Sequence, residues 1–211
     1  VIKWSWRLYN IGRQLGEIVG ERIFVAGNEI KKISNLPIKN MEQDKGLVYT
    51  DIVSPVGSIR LVATMRGLTA VLWEGEDYTR TKLSKPDRDD HAPILLLAQQ
   101  QLLEYFDRKR TVFDLPLDMQ GTPFQLKVWE ALLTIPYGRT KTYGDLARQL
   151  GDIKAVRAVG GALNKNPISI IVPCHRVIGG TGKLVGFAGG LKNKSILIDL
   201  EMKDRTPTLF D

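Results

Sequence analysis

The chain has 211 residues, enough for one large domain or two small ones with apolar cores, and its 43% hydrophobic and 25% charged residues are those of a globular protein. No run approaches the roughly 20 uninterrupted apolar residues of a membrane span. One cysteine and two histidines exclude an internal disulfide and the usual four-ligand zinc site.

A soluble, non-secreted protein with no membrane partner and no structural metal is therefore expected. The net charge of +7 is uneven. Residues 121–211 carry thirteen Lys/Arg against seven Asp/Glu, whereas residues 51–120 carry nine against eleven. A basic excess of this kind suits a polyanion such as DNA, or is simply solvated surface.

Residues 1–46 show apolar positions without a sustained period and stand as an extension of unknown role. Residues 47–54, 58–64 and 68–74 are short β-branched or aromatic runs separated by PVG and MRG turns, the pattern of a small antiparallel meander. A polar stretch then leads to PILLLAQQQLLEYFDRK, whose leucines recur at helical spacing. Residues 47–120 thus read as an N-terminal α+β domain.

From Gly121 the pattern changes. Thr122 caps a helix, Pro123 occupies its first turn, and Phe124, Val128, Leu132 and Ile135 share one face. TYGDLARQLG and IKAVRAVGGALNKN follow as two shorter helices joined at Gly151, either a helix-turn-helix or an ordinary packed pair. ISIIV reads as a buried strand, GGTGKLVGFAGG as a loop and LKNKSILIDLEMK as an amphipathic helix. The fold class expected is α+β, with a small sheet-plus-helix domain followed by a helical domain at 121–211.

The chemistry concentrates at Pro173-Cys174-His175-Arg176. A free cysteine is commonly a small buried hydrophobe, so packing is one reading. The other is a nucleophile, because a stiff proline precedes Cys174 and two groups able to favour the thiolate follow it. Adjacent side chains in an extended segment diverge, so this segment must turn for His175 to serve Cys174.

IVPCHRVIG, with RAVGGALNKNP upstream and GFAGGL downstream, resembles the O6-alkylguanine-DNA alkyltransferases. The likeness spans about residues 47–203 and is strongest over 122–201. It implies double-stranded DNA containing alkylated guanine as the partner, no cofactor, and single, irreversible transfer of the alkyl group to Cys174 from a base swung out of the helix. O4-alkylthymine is implied as a second substrate. A monomer, with cooperative assembly on DNA open, is implied in a prokaryotic cytoplasm or a eukaryotic nucleus.

The resemblance assigns Arg157 as the finger filling the vacated base position, with Ala158 and Gly160 allowing close approach; the alternative is an arginine on phosphate. Tyr143 donates toward the guanine ring, or is a helix-start aromatic of the core. Asn166 holds the active-site turn. Glu201 orients His175, which takes the thiol proton through water; otherwise Glu201 is a solvated helical charge. Arg176 is placed with the DNA-contacting residues. Phe187, Ala188 and Gly189 line the substrate pocket, where some members carry Tyr-Ser, a departure that bears on substrate preference.

Two rivals remain. A non-catalytic lesion binder or helix-turn-helix regulator would use the same helices without needing Cys174. A cysteine hydrolase would use the Cys-His pair but needs an oxyanion site.

Overall fold

The computed structural model describes residues 23–26, 29–32 and 46–202, apart from 77 and 79. Most of the expected 1–46 extension and the tail from 203 lie outside these residues. Within residues 1–44, which form a unit of their own, strand β1 (Ile23–Ala26) pairs antiparallel with β2 (Glu29–Lys32), Ile23 opposite Lys32.

Residues 45–211 form the second unit. Its meander is β3 (Val48–Ser54), β4 (Gly57–Thr64) and β5 (Gly67–Trp73), as the alternating runs require. Gly57 takes the left-handed conformation, φ 93°, that the first turn demands. A short β6 (Asp87–Arg88) joins parallel to β3, giving the order β5-β4-β3-β6.

β5 is buried along its whole length because both of its faces are covered. Leu68, Val71 and Trp73 enter the main core. Ala70 and Leu72 join Val62 beneath Leu47, Tyr49, Tyr78 and Leu83, so the polar connection after β5 roofs the back of the sheet. On the other face lies α1 (Pro93–Phe106), which buries Leu95, Ala98, Leu102 and Tyr105. Each such leucine contributes about 1.5–3 kcal/mol.

The helical half shares that core. α2 (Pro123–Leu133) opens with a complete capping box, Thr122 with Gln125, and buries Val128 and Leu132. Phe124, expected on the buried face, is 38% exposed, while Trp129 is 1% exposed and donates its indole N–H to Ala162 O at 2.9 Å. The inner face is thus rotated toward Trp129, whose hydrogen bond ties α2 to the segment around Ala162.

Strand β7 (Lys141–Thr142) leads into α3 (Tyr143–Gln149), capped by Thr142 with Asp145. Gly151, φ 88°, turns the chain into a 3-10 turn and α4 (Val156–Asn164). The two helices pack together, as both a helix-turn-helix and an ordinary packed pair require.

ISIIV is not a strand. Ile168 makes one bridge to Val71, Ile170 has φ 74°, and Val172 N donates back to Ile168 O at 2.9 Å, closing a compact turn. A five-residue apolar run reports burial, not conformation. β8 (Val177–Ile178) then pairs parallel with β7, and α5 (Gly190–Met202) ends the described chain. Its inward stripe is Lys194, Leu197 and Glu201, so two of the three buried side chains are charged.

Candidate active site

Asn166 builds the floor of the site. Its Nδ2 donates to Val172 O at 2.8 Å and its Oδ1 accepts from Ile168 N at 3.1 Å, so one buried side chain spans the turn before the cysteine. Pro173, φ −82° and ψ 66°, then makes a tight bend in which Cys174 N donates to Val172 O at 2.8 Å. This delivers Cys174 to the first position of a 3-10 turn, Cys174–Arg176, and the turn sends His175 and Arg176 inward.

Both side chains end on Glu201. His175 Nε2 lies 2.7 Å from Glu201 Oε1. Arg176 donates from Nε to Oε2 at 2.8 Å and from Nη2 to Oε1 at 3.0 Å, and its Nη1 donates to Ile135 O at 2.6 Å. Gly138 N adds 3.1 Å to Oε2, and Tyr105 Oη donates to Oε1 at 2.8 Å. Burial pushes Glu201 up, but the hydrogen bonds and charges of His175 and Arg176 prevail and hold its carboxyl at about 2.

An ionised Glu201 only accepts, which places the imidazole proton on Nε2. His175 Nδ1 is then a lone pair. It is buried and has no hydrogen-bond partner among the described residues. Burial keeps the imidazole's proton affinity below its ordinary value, with Glu201 opposing.

Burial likewise raises the Cys174 thiol. Hydrogen bonding from Asn166, the Lys194 charge, the Ser169 hydroxyl dipole and the Arg80 charge pull it back toward the thiolate. The Ser169 hydroxyl has no partner of normal hydrogen-bond geometry among the described residues, so its contribution is that of a nearby dipole. Lys194 is wholly buried, with Nζ donating to Val177 O at 2.6 Å, Val185 O at 2.7 Å and Gly186 O at 3.4 Å.

Tyr143, half-buried at the start of α3, donates to Val185 O at 3.3 Å. Its phenol is raised by burial and by its nearness to Cys174. Phe187 meets His175 edge-on at 6.5 Å and Trp73 edge-on at 5.3 Å. Ala188 and Gly189 follow it, and Gly189 lies so close to Trp73 that a Cβ there would sit 2.5 Å from the ring.

The sequence-derived set therefore divides. Cys174, His175, Glu201, Asn166, Tyr143 and Phe187 converge on one site. Arg157 and Ala158 lie on the exposed face of α4, and Arg157 forms no hydrogen bond or ion pair among the described residues. Gly160 is half-buried, and a Cβ on it would touch the Tyr143 ring at 3.8 Å.

Arg176 is the correction. It is 7% exposed and spends its guanidinium on Glu201 and a backbone carbonyl, so it faces the interior instead of DNA. Its place beside Cys174 says nothing of direction, which the 3-10 turn decides.

Four participants were missed. Lys194 carries a signal in retrospect, seven residues before Glu201 on the same helix and hence on its buried face. Arg80, Trp73 and Tyr105 belong to the N-terminal half, and no local pattern links them to Cys174. Arg80 pairs with Glu76 and donates to Asn166 O, bracing the turn from outside.

The family model described as the 6-O-methylguanine DNA methyltransferase DNA binding domain matches residues 123–203, and that of its ribonuclease-like domain matches residues 47–119. A methylated-DNA–protein-cysteine methyltransferase of Mycobacterium tuberculosis is 46% identical over 169 residues, covering 77% of this chain and 98% of that one. One of Methanosarcina acetivorans is 45% identical, covering 74% and 98%. Among solved structures, the M. tuberculosis O6-methylguanine methyltransferase superposes with a TM-score of 0.69 at 44% identity, covering 78% and 99%. The OGT of that organism in complex with DNA gives 0.68 at 45% identity, covering 74% and 93%. With that site and these relatives, the chain belongs to the 6-O-methylguanine DNA methyltransferase family.

Proposed function

We propose that this protein repairs DNA by transferring an alkyl group from O6 of an alkylated guanine to its own Cys174. The carrying observation is the tautomer of His175: Nε2 is bound to Glu201 at 2.7 Å, leaving a buried, unpartnered Nδ1 on the residue that follows the cysteine in the same turn. That lone pair takes the thiol proton through a water molecule. The thiolate sulfur attacks the alkyl carbon, the C–S bond forms as the C–O bond breaks, and guanine leaves and is protonated.

Tyr143 donates toward the departing ring, where negative charge develops. Asn166 holds the turn, and Phe187, Ala188 and Gly189 wall the pocket. Arg157, on the exposed face of α4, enters the space of the extruded base, with Ala158 and Gly160 letting the helix approach. The thioether has no leaving group, so each molecule acts once. A lesion binder would gain nothing from burying a cysteine beside a poised base.

Intact-protein mass spectrometry after mixing with duplex DNA containing O6-methylguanine tests this. One methyl group on Cys174 is expected, and none in Cys174→Ala with DNA binding retained. An unmodified wild-type protein that holds the lesion would overturn it in favour of a binder.

A further inference from the structure

Glu201 is the junction of the site, and one of its partners comes from the opposite half of the molecule. Tyr105 lies in the last turn of α1, fully buried, with its hydroxyl 2.8 Å from Glu201 Oε1. The same oxygen accepts from His175 Nε2 at 2.7 Å and from Arg176 Nη2 at 3.0 Å. Three donors therefore share one carboxylate oxygen. Oε2 is served separately, by Arg176 Nε and Gly138 N.

We propose that Tyr105 is a positioning residue for alkyl transfer, its hydroxyl fixing how Glu201 Oε1 divides between its donors and thereby the basicity of His175. The inference rests on the relay reading of His175 and Glu201. It gives the N-terminal half a part in the chemistry, whereas its sheet and helix otherwise supply only packing.

The chemistry follows from sharing. A carboxylate oxygen that accepts an additional hydrogen bond holds less free charge, and so stabilises a neighbouring imidazolium less. Burial, then Glu201's charge and hydrogen bond, raise Tyr105 far above its ordinary value, so its hydroxyl stays a donor throughout the working range. The charged and titratable groups around His175 are Glu201 and Lys194 from α5, and Arg176 and Cys174 from its own turn. Around Glu201 stand Arg176, His175 and Tyr105, with Tyr137 beside the Arg176 guanidinium at 5.8 Å. Among these side chains Tyr105 is the donor to Oε1 that can be stripped of its hydrogen bond without altering a charge or removing the base itself.

Tyr105→Phe removes one oxygen and keeps the ring, whose neighbours Phe106 and Phe113 lie at 5.4 Å and Tyr137 at 6.1 Å. With Oε1 left to His175 and Arg176, the imidazole binds a proton more readily. A base must be neutral to take the thiol proton, so the acid limb of the pH–rate profile moves to higher pH.

The test is single-turnover transfer from O6-methylguanine in duplex DNA across that limb, with histidine ring NMR on the same full-length protein. In Tyr105→Phe we expect the limb and the His175 titration to rise together by about half a pH unit or more. The exposed His91, the other histidine of the chain, serves as an internal reference, and DNA affinity by fluorescence anisotropy should not change. An unmoved limb and an unmoved His175 titration overturn the proposal, whatever happens to thermal stability, and leave Tyr105 a packing residue. An acid limb that persists in His175→Gln overturns the relay itself and the proposal with it.

Discussion

Lys194 and Tyr143 share an acceptor: the carbonyl of Val185 receives Lys194 Nζ at 2.7 Å and the Tyr143 hydroxyl at 3.3 Å. A buried ammonium from the last helix and a phenol from the helix-turn-helix thus hold the same point of the glycine-rich loop. Gly186, next along, has φ 45°, and a Cβ there would stand 3.6 Å from the Tyr143 oxygen.

That arrangement makes Lys194→Met informative. Lys194's charge lowers the Cys174 thiol, so its loss moves the pH midpoint of Cys174 modification by iodoacetamide upward. It also takes a buried donor from the carbonyls of Val177, Val185 and Gly186, of which Val185 keeps only the longer Tyr143 bond, at a cost of about 2 kcal/mol or more. Urea unfolding checks the second effect. A destabilised variant with an unmoved midpoint would show that Lys194 only pins the loop.

The Glu201 carboxyl, held at about 2 in the folded protein, predicts how stability falls in acid. A depressed carboxylate contributes stability that is complete above its unfolded value and lost as pH falls to its folded one. Here that window runs from about 4.5 down to about 2, and carries about 3 kcal/mol. His175, lowered by burial, acts in the same direction at higher pH, starting below its ordinary 6.5. Urea unfolding at stepped pH should therefore show two successive losses. Glu201→Gln should shrink the lower one, leaving what depressed surface carboxylates such as Asp145 contribute, and cost about 3–5 kcal/mol at neutral pH, because Arg176 is left buried without its carboxylate.

Two glycines should respond oppositely to the same change. At Gly189 a Cβ would stand 2.5 Å from Trp73 ring atoms, and Trp73 is itself buried, so Gly189→Ala should cost about 1–3 kcal/mol and displace Phe187 from His175. At Gly161, on the exposed side of α4, nothing lies within 4 Å. Gly161→Ala should stabilise by up to about 1 kcal/mol through helix propensity. It should also weaken DNA binding if this face meets the duplex closely. Thermal unfolding and anisotropy separate the two outcomes.

What was legible in the sequence follows from how local each feature is. The meander, α1 and the capping boxes of α2 and α3 depend on near neighbours, and their turn and cap residues announce them. Asn166, Cys174 and His175 lie within ten residues and are carried by two successive motifs, RAVGGALNKNP and IVPCHRVIG. Burial direction was the blind spot. Nothing near Arg176 in the sequence signals that it faces inward, because its partner Glu201 lies 25 residues on. Tyr105 and Glu201 meet across 96 residues, a pairing that arises only once α1 and α5 are both seated on the shared core. ISIIV shows the converse: its apolar residues announce burial, but beyond the Ile168 bridge to Val71 the φ of 74° at Ile170 and the Asn166 hydrogen bonds to Val172 O and Ile168 N make it a turn.

Arg157 offers the sharpest division between two roles. It is exposed near the start of α4, six residues after the turn at Gly151, and unpaired among the described residues. If it fills the place of an extruded base, Arg157→Ala should slow repair of duplex DNA while leaving reaction with free O6-benzylguanine nearly intact. The salt dependence of DNA binding should then stay the same. An arginine seated on a phosphate would instead lower the slope of log affinity against log salt by about 1, with equal losses for every sequence. Reaction with the free base probes the Cys174–His175–Glu201 chemistry alone. Equal losses on both substrates would mean that Arg157 supports the site's fold, and that extrusion is driven from another part of the helix.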